Sequence, residues 1–286
     1  MQAILKIGDM TIKYQYHFND YLKSSIDRYQ TSEKTYDWSL SVELTETYQP
    51  YDLDFMVINK RYHYIDEHIE VVTVYHDIDN DLYSQQLVFD KHKKEAFIRL
   101  NPKYVKDLAM QEYILSGIVF LEMAVMHGFV SLHASAINYQ QEAILFSAPS
   151  TTGKSTQAKL WQKFDSSVEI INDDKPLLYK KGNRFYVIGS PFSGKTQENL
   201  NKSFPVKCIL FLKQSNTNAL IKLSHNDLVK QFLINTMKPK NKNAYHHLLS
   251  TINDFIHEIP IYEFNATKDM SAVTFIHEKL DKELSK

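Results

Sequence analysis

Hydrophobic and polar residues alternate along much of the first hundred residues, which is the pattern of half-buried β-strands. Within 38–44, Trp, Leu, Val and Leu occupy every second position, with Ser, Ser and Glu between them. Residues 70–75 and 86–89 carry β-branched and aromatic side chains, 95–100 is expected to return as a hairpin partner, and the polar run 77–81 predicts a turn. Residues 1–101 are therefore predicted to form a β-rich N-terminal region with a structural or substrate-docking role.

The remaining residues, 102–286, alternate helical and strand-like patterns, which predicts an α/β or α+β region around a mixed sheet. A helical pattern covers 103–127 and is stopped by Gly128. Its apolar run 114–126 contains Glu122 and is too short to cross a bilayer, so we expect a core helix. Apolar runs predict strands at 129–139, 143–146, 168–171, 206–212 and 259–264, and helical patterns lie at 156–164, 226–237, 244–257 and 270–284.

Composition narrows the class of protein. The 286 residues include 33 basic and 34 acidic residues, a formal net charge of −1, without a long run of one sign. General electrostatic attraction to nucleic acid or to a membrane is therefore not expected. Cys208 is the single cysteine, which excludes an internal disulfide and fits a reducing compartment. Residues 1–9 lack the basic flank and long apolar run of a signal peptide, so we expect a cytoplasmic protein.

The segment 143–156, AILFSAPSTTGKST, carries the clearest chemical signal in the chain. An apolar strand, a loop ending in Gly153, Lys154 and Ser155, and a helical pattern follow one another in the order of a phosphate-binding loop. In such a loop, backbone N–H groups and the positive end of the helix surround the phosphates, the lysine contacts the outer phosphates, and the hydroxyl binds Mg²⁺. The predicted nucleotide-binding residues are Ser150, Thr151, Thr152, Gly153, Lys154, Ser155 and Thr156.

The match to the pattern G-x-x-x-x-G-K-[ST] has one defect. Ala148 occupies the position of the first glycine, so Gly153 is the only glycine of the loop. Because alanine resists positive φ, the turn is expected to start less tightly than in common nucleoside triphosphatases. An ordinary strand-to-helix connection is the alternative interpretation.

Two adjacent carboxylates, Asp173 and Asp174, follow the predicted strand 168–171. One can bind Mg²⁺ beside Ser155, and the other can accept the proton of an attacking hydroxyl. His133 is predicted on the strand next to the loop strand, and hence at the same end of the sheet. The alternatives are a common turn sequence for the two aspartates and a core histidine bonded to a strand carbonyl.

Four short segments, in this order, resemble the catalytic core of the HPr kinase/phosphorylase superfamily. They are 133–136 (HASA), 153–156 (GKST), 172–174 (NDD) and 189–194 (GSPFSG). The likeness is closer to the HPr-kinase-like proteins of peptide-modifying systems, including the kinases that phosphorylate lasso-peptide precursors. The resemblance covers residues 129–214 and implies a fold related to phosphoenolpyruvate carboxykinase.

The resemblance also implies a role for each matching residue. It makes Lys154 the phosphate-binding lysine, and Ser155 and Asp174 the magnesium ligands. Asp173 matches the general base toward the acceptor serine. His133 matches a histidine close to the transferred phosphate.

The chain departs from the family in the loop and in its substrate-binding part. Ala148 and Thr151 replace glycines that are common in the family, which puts the nucleotide affinity in question. No segment matches the one by which HPr kinases bind HPr and assemble their hexamer, so HPr is not expected as the substrate.

These observations predict a kinase that uses ATP (or GTP) and Mg²⁺ to phosphorylate a serine-type hydroxyl of a peptide or small protein. Residues 102–286 are expected to form its catalytic domain. Two alternatives stay open, a nucleotide-sensing module without transfer activity and a nucleoside triphosphatase coupled to assembly. The oligomeric state is also open, with a homo-oligomer among the options.

Overall fold

The computed structural model describes residues 1–51, 53–59, 61–193, 198–239, 242–280, 282 and 284. Over this part of the chain the protein has a mixed α+β fold with two mixed sheets and six helices, in agreement with the coarse fold class expected from the sequence. The chain divides into two compact units, Met1–Met123 and Ala124–Lys286. The N-terminal unit thus contains the predicted β-rich region 1–101 and the first part of a long helix.

An eight-stranded sheet forms the N-terminal unit together with the helix α1 (Lys23–Tyr29). Its strands are β1 (Gln2–Ile7), β2 (Met10–Gln15), β3 (Trp38–Leu44), β4 (Met56–Ile58), β5 (Arg61–Ile65), β6 (Ile69–Asp77), β7 (Leu82–Asp90) and β8 (Glu95–Leu100). Their order is β1-β2-β3-β8-β7-β6-β5-β4, with β3 parallel to both of its neighbours. Trp38, Leu40 and Val42 are buried, which confirms the alternation predicted for this strand.

The sequence pattern predicted that the long helix α2 (Leu108–Met126) begins at residue 103. It begins at Leu108 instead. The side chain of Asp107 accepts a hydrogen bond from the backbone N–H of Met110 (2.9 Å), which caps the helix and fixes its start. By length and composition alone, α2 is apolar enough to cross a membrane, with a mean hydropathy of 1.4 over 18 residues. This is weak evidence, because core helices of soluble proteins meet the same criterion.

Two buried polar side chains of α2 attach it to the N-terminal unit. Glu112 accepts hydrogen bonds from the backbone N–H groups of His17 (3.0 Å) and Phe18 (3.3 Å). The hydroxyl of Tyr14 donates to Ser116 (2.9 Å). Buried polar groups of this kind destabilise a fold unless they are hydrogen-bonded, and these are.

A nine-stranded sheet forms the C-terminal unit. Its strands are β9 (Val130–Ser131), β10 (Ala134–Tyr139), β11 (Glu142–Ser147), β12 (Glu169–Asp174), β13 (Leu177–Lys181), β14 (Arg184–Ile188), β15 (Ser203–Gln214), β16 (Ala219–Ile221) and β17 (Ile261–Ala266). Its helices are α3 (Lys154–Phe164), α4 (His225–Asn235), α5 (Lys242–Glu258) and α6 (Met270–His277). The strand order is β12-β10-β11-β15-β14-β13-β9, and β17 pairs with β15 and with β16.

Helices cover both faces of this sheet and enclose two hydrophobic cores. One core contains Phe146 of β11 and Trp161 of α3. The other contains Leu145 of β11, Phe232 of α4 and Phe255 of α5. Since Leu145 and Phe146 are neighbours in a strand, they point to opposite faces, and β11 is buried on both sides.

The strand predicted at 129–139 is interrupted. β9 pairs with β13, whereas β10 pairs with β11 and β12, so the chain changes partners between Ser131 and Ala134. His133 lies in this interruption and not within a strand, which corrects its predicted position. The strand predicted at 168–171 extends to Asp174, so Asp173 and Asp174 are the last two residues of β12, at the strand end where the sequence placed them.

Candidate active site

The ends of several strands meet at one edge of the C-terminal sheet. β11 is parallel to β15, and β15 is parallel to β17, so their carboxyl ends lie at this edge. β10 is antiparallel to both β11 and β12, and Ala134 at its start pairs with Ser147 and with Asp174. The end of β11, the start of β10 and the end of β12 therefore lie in one row. Ligands of open α/β sheets commonly bind outside this kind of edge.

The loop between β11 and α3 accommodates alanine at its first position without strain. Ala148 is buried and is not among the residues with positive φ, so a glycine is not required there. Gly153 has a φ of 114° and precedes the first residue of α3, a conformation that L side chains rarely adopt. The single glycine of the loop thus occupies a position where glycine is needed.

Thr151 has a φ of 67°, in the left-handed region that β-branched residues disfavour. We expect Thr151→Gly to raise the free energy of unfolding by about 0.5–1 kcal/mol, because the relief of backbone strain exceeds the added freedom of the unfolded chain. Urea unfolding of the whole chain measures this difference. Thr152→Gly is the matched control and is expected to destabilise, since Thr152 has no positive φ. Equal shifts in the two variants would contradict the assignment of strain to Thr151.

Lys154 lies across the loop that precedes it. Its Nζ donates hydrogen bonds to the carbonyl oxygens of Ala148 (2.8 Å) and Pro149 (3.2 Å). The side chain of Gln214, at the end of β15, donates to the carbonyls of Thr151 (3.1 Å) and Thr152 (3.2 Å). These contacts fix the loop between β11 and β15.

The first turn of α3 has backbone N–H groups available to a ligand. The residue before the helix, Gly153, provides no side-chain cap. The first N–H groups of any α-helix have no partner within the helix, and the dipole makes this end positive. Ser155 is half-buried and Thr156 is exposed in this turn, whereas Ser150 and Thr151 are exposed in the loop.

Asp173 is buried and is held by a side chain that the sequence did not single out. The hydroxyl of Ser135 donates a hydrogen bond to Oδ1 of Asp173, and the two residues are directly opposite each other in β10 and β12. Ser135 is also opposite Phe146, whose side chain packs in the core with α3. The Asp173 carboxylate is therefore on the α3 face of the sheet, the side from which Lys154 approaches.

Asp174 leaves the strand in the opposite direction to Asp173, as neighbouring strand residues do. Its Oδ1 lies 3.4 Å from Nε2 of His133. Burial raises the pKa of Asp174, and the charges of Lys175 and Lys154 oppose this effect. The two carboxylates thus lie at one edge of the sheet, and both interact electrostatically with Lys154, although they project from opposite faces of the sheet.

His133 is neutral at pH 7. Burial, and then the charges of Lys175 and Lys154, lower its pKa from 6.5 to about 4. Its contact with Asp174 is therefore between a neutral imidazole and a carboxylate, and is not an ion pair. A neutral imidazole beside two lysines can donate or accept a hydrogen bond at a phosphate oxygen without adding charge.

The depressed pKa of His133 predicts acid destabilisation. In the unfolded chain the imidazole binds a proton below about pH 6.5, but in the folded protein only near pH 4, so this residue lowers stability as the pH falls between these values. The slope from one such group reaches at most about 1.4 kcal/mol per pH unit. We expect His133→Gln to lose less unfolding free energy than the parent between pH 6.5 and 4, measured by urea unfolding. The raised pKa of Asp174 increases the free energy of unfolding as the pH falls, and this contribution is present in both the parent and His133→Gln. Equal pH profiles would show that His133 titrates normally.

An open cavity of about 620 Å³ lies on the other side of the loop, at the ends of β15 and β17. Its lining residues are polar, namely Gln214, Ser215, Asn216, Thr267, Lys268 and Asp269. Gln214 belongs both to this cavity and to the support of the loop. The loop thus lies between His133 and the aspartates on one side and the cavity on the other.

Sequence reasoning missed three residues of this edge. Ser135 lies within the segment 133–136, but no role was predicted for it. Lys175, directly after the two aspartates, and Gln214, far from the loop in sequence, were not predicted as site residues. The signal for Ser135 was its distance of two positions from His133 on the same strand pattern. No local signal pointed to Gln214, because its contact with the loop depends on the pairing of β11 with β15.

Two further observations bear on the predicted metal and on the turn 189–194. Among the described residues, no group of three or more His, Cys, Asp or Glu side chains forms a metal site.

In the turn 189–194, Ser190 and Ser193 are buried, and Nδ2 of Asn199 donates to the Ser193 hydroxyl (2.8 Å). Gly194, the last residue of the predicted motif, lies outside the described residues.

Comparison of the sequence with protein-family models and with curated proteins gave no match.

Proposed function

We propose that this chain is a kinase that transfers the γ-phosphate of ATP, or of GTP, to a serine-type hydroxyl of a peptide or small protein. The observation that carries the proposal is the row of residues across one sheet edge, with Lys154 after β11, His133 before β10 and Asp173 at the end of β12. These residues all lie in the unit Ala124–Lys286. Membership of the HPr kinase/phosphorylase superfamily is part of the same proposal.

The loop and the helix end fit the phosphates of a nucleotide. The uncapped N–H groups of α3 and the Lys154 ammonium supply donors and positive charge within one turn of chain. In the structure Lys154 is bonded to neutral carbonyl oxygens of its own loop, which a phosphate oxygen can replace with a stronger charge-assisted bond. Ser155 is the hydroxyl next to Lys154 and is assigned to magnesium.

The residues also fit a magnesium ion that arrives with the nucleotide. Mg²⁺ usually keeps several waters and takes one or two carboxylates together with substrate phosphates, and a cage of protein ligands is not required. Asp174 and Ser155 are the side chains assigned to it. When bound, the ion neutralises charge on the phosphates during transfer.

Asp173 is the proposed general base. It takes the proton of the acceptor hydroxyl as that oxygen bonds to the γ-phosphorus, while the bond from phosphorus to the bridging oxygen breaks and the nucleoside diphosphate is the leaving group. Ser135 orients the carboxylate through its hydrogen bond. The backbone N–H of Asp173 donates to the carbonyl of Glu198 (3.2 Å), which fixes the end of β12 from the other side.

We orient the nucleotide from the arrangement of the strands. Asp173 and His133 lie on the β10–β12 side of the loop, and the polar cavity with Asn216 and Lys268 lies on the β15–β17 side. With the γ-phosphate beside Asp173, the nucleoside extends toward this cavity. Its volume of about 620 Å³ is within the range of small-molecule sites.

A nucleotide sensor without transfer activity is the second candidate. The observation that favours it is the low accessibility of the proposed base. Asp173 is 8% exposed, and its carboxylate already accepts a hydrogen bond from the Ser135 hydroxyl. The strained Thr151 in a glycine-poor loop points the same way, because it restricts the loop conformations available for binding. In this case nucleotide binding stabilises the protein, and no acceptor gains phosphate.

The test combines binding with product analysis. The chain is incubated with Mg²⁺ and ATP or GTP and with a panel of serine-containing peptides, and the products are analysed by mass spectrometry for phosphoserine. Thermal unfolding with each nucleotide is measured in parallel. Phosphopeptide supports the kinase, and nucleotide-dependent stabilisation without phosphopeptide supports the sensor. Phosphate release at a rate that peptides do not change would point to a nucleoside triphosphatase.

A further inference from the structure

Lys175 lies at the candidate site and has no role in the proposed reaction. It follows Asp174 directly, in a turn that the side chain of Asn172 stabilises. Oδ1 of Asn172 accepts hydrogen bonds from the backbone N–H groups of Asp174 (3.1 Å) and Lys175 (2.8 Å). The backbone of Lys175 is therefore fixed at the sheet edge.

Lys175 lies near His133, because the pairs on either side of these two residues share one register, although neither residue belongs to a strand. The flanking pairs are Ala134 with Asp174, Ser131 with Leu177, and the backbone N–H of Leu132 with the carbonyl of Pro176 (3.2 Å).

Lys154 is buried and Lys175 is half-buried at this edge, and the charge of Asp174 attracts both ammonium groups. Among the described residues, neither Lys154 nor Lys175 has a carboxylate oxygen within 4.0 Å of its ammonium. Lys154 donates to loop carbonyls, and Lys175 makes no side-chain hydrogen bond to the described part of the chain. Burial lowers the pKa of Lys175, and the charge of Asp174 opposes this effect only in part, so the buried ammonium costs free energy that an anionic ligand between the two lysines can offset.

We propose that Lys175 is a second phosphate-binding cation, which contacts the γ-phosphate while Lys154 holds the phosphates nearer to the loop. This inference rests on the proposed function. Lys175 is assigned to the γ-phosphate because it lies on the β10–β12 side with His133 and Asp173, away from the cavity at β15 and β17. A diphosphate lacks the group that Lys175 contacts, so this residue distinguishes nucleoside triphosphates from diphosphates.

The test measures binding, and it uses a ligand that is not turned over. Calorimetry with Mg²⁺ gives the Kd of the β,γ-imido analogue of ATP and the Kd of ADP for the parent, Lys175→Met and Lys175→Arg. Methionine removes the charge and keeps a long side chain, and arginine keeps the charge. Lys181→Met, an exposed lysine at the end of β13, is the matched control.

Lys175→Met is expected to raise the Kd of the triphosphate analogue about tenfold or more and to change the Kd of ADP less than about twofold, since one charge-assisted contact is lost. Lys175→Arg and Lys181→Met are expected to bind both ligands as the parent does. The Tm of ligand-free Lys175→Met is expected to equal or exceed that of the parent, because the cost of burying the ammonium is removed and exceeds the attraction of Asp174.

Three results would overturn the assignment of Lys175. They are unchanged triphosphate affinity in Lys175→Met, an equal loss of affinity for both ligands, and a marked fall in the Tm of the ligand-free variant. In each of these cases the parent still binds nucleotide, so the proposed function stands. If the parent binds neither ligand, the proposed function fails first and the assignment of Lys175 fails with it.

Discussion

Asp173→Asn is expected to reduce phosphate transfer by about 10²–10⁴-fold and to leave nucleotide affinity within about threefold of the parent. The amide has the size of the carboxylate, and its oxygen can still accept the hydrogen bond from Ser135. It cannot take a proton from the acceptor hydroxyl, so the loss falls on the chemical step. Single-turnover transfer to a peptide that the parent phosphorylates, together with calorimetric Kd values, separates the two effects.

Asp254→Asn serves as the control for the removal of one negative charge. Asp254 is half-exposed on α5, and its Oδ2 lies 3.9 Å from Nζ of Lys180, so this variant is expected to behave as the parent does. Asp174→Asn is informative beside it, because it is expected to raise the magnesium concentration needed for half-maximal rate. An Asp173→Asn protein that transfers phosphate at the parental rate would refute the assignment of the base.

Lys154→Ala is expected to weaken the binding of both ATP and ADP by about tenfold to a hundredfold, and to abolish measurable transfer. Each charge-assisted hydrogen bond contributes roughly 1.5–3 kcal/mol, and this lysine is assigned to phosphates that both nucleotides carry. Alanine is the best helix former, so the first turn of α3 is expected to remain folded. Calorimetry with each nucleotide in the presence of Mg²⁺ measures the effect.

Lys159→Ala provides the matched control on the same helix. Lys159 is exposed on α3, away from the first turn, so its loss removes one positive charge without changing the loop. If Lys159→Ala and Lys154→Ala weaken binding equally, the attraction is a general effect of charge, and the loop is not the phosphate site. The ratio of ATP to ADP affinity should stay near the parental value in Lys154→Ala, in contrast with Lys175→Met.

Local sequence patterns predicted the central elements of the site well. The run 143–146 became part of β11, and Gly153 precedes α3, because an apolar run and a glycine before a helix are signals that act within a few residues. The sequence could not show whether alanine is tolerated at position 148 of the loop. Its φ shows that the loop needs no glycine there, and this depends on the path of the chain between β11 and α3.

The errors in the sequence reading arose where long-range pairing decides the structure. The run 129–139 has a continuous strand pattern, yet it is divided at His133 because its two halves pair with different strands. The start of α2 moved from 103 to Leu108 because the Asp107 side chain caps the helix. Both outcomes depend on which hydrogen-bond partner is present in the folded chain.

By itself, the sequence determined the mixed α+β class, the β-rich start, the strand-loop-helix around Lys154 and the presence of two carboxylates near a strand end. Hydrophobic periodicity, the positions of glycines and the positions of charges are local properties, so they can be identified from the sequence. Only the tertiary structure decided that Ser135 donates a hydrogen bond to Asp173, that Lys175 lies near His133, and that burial and two lysines lower the pKa of that histidine. Strand register and desolvation are set by residues distant in sequence, which is why the chemistry of this edge became visible only in the fold.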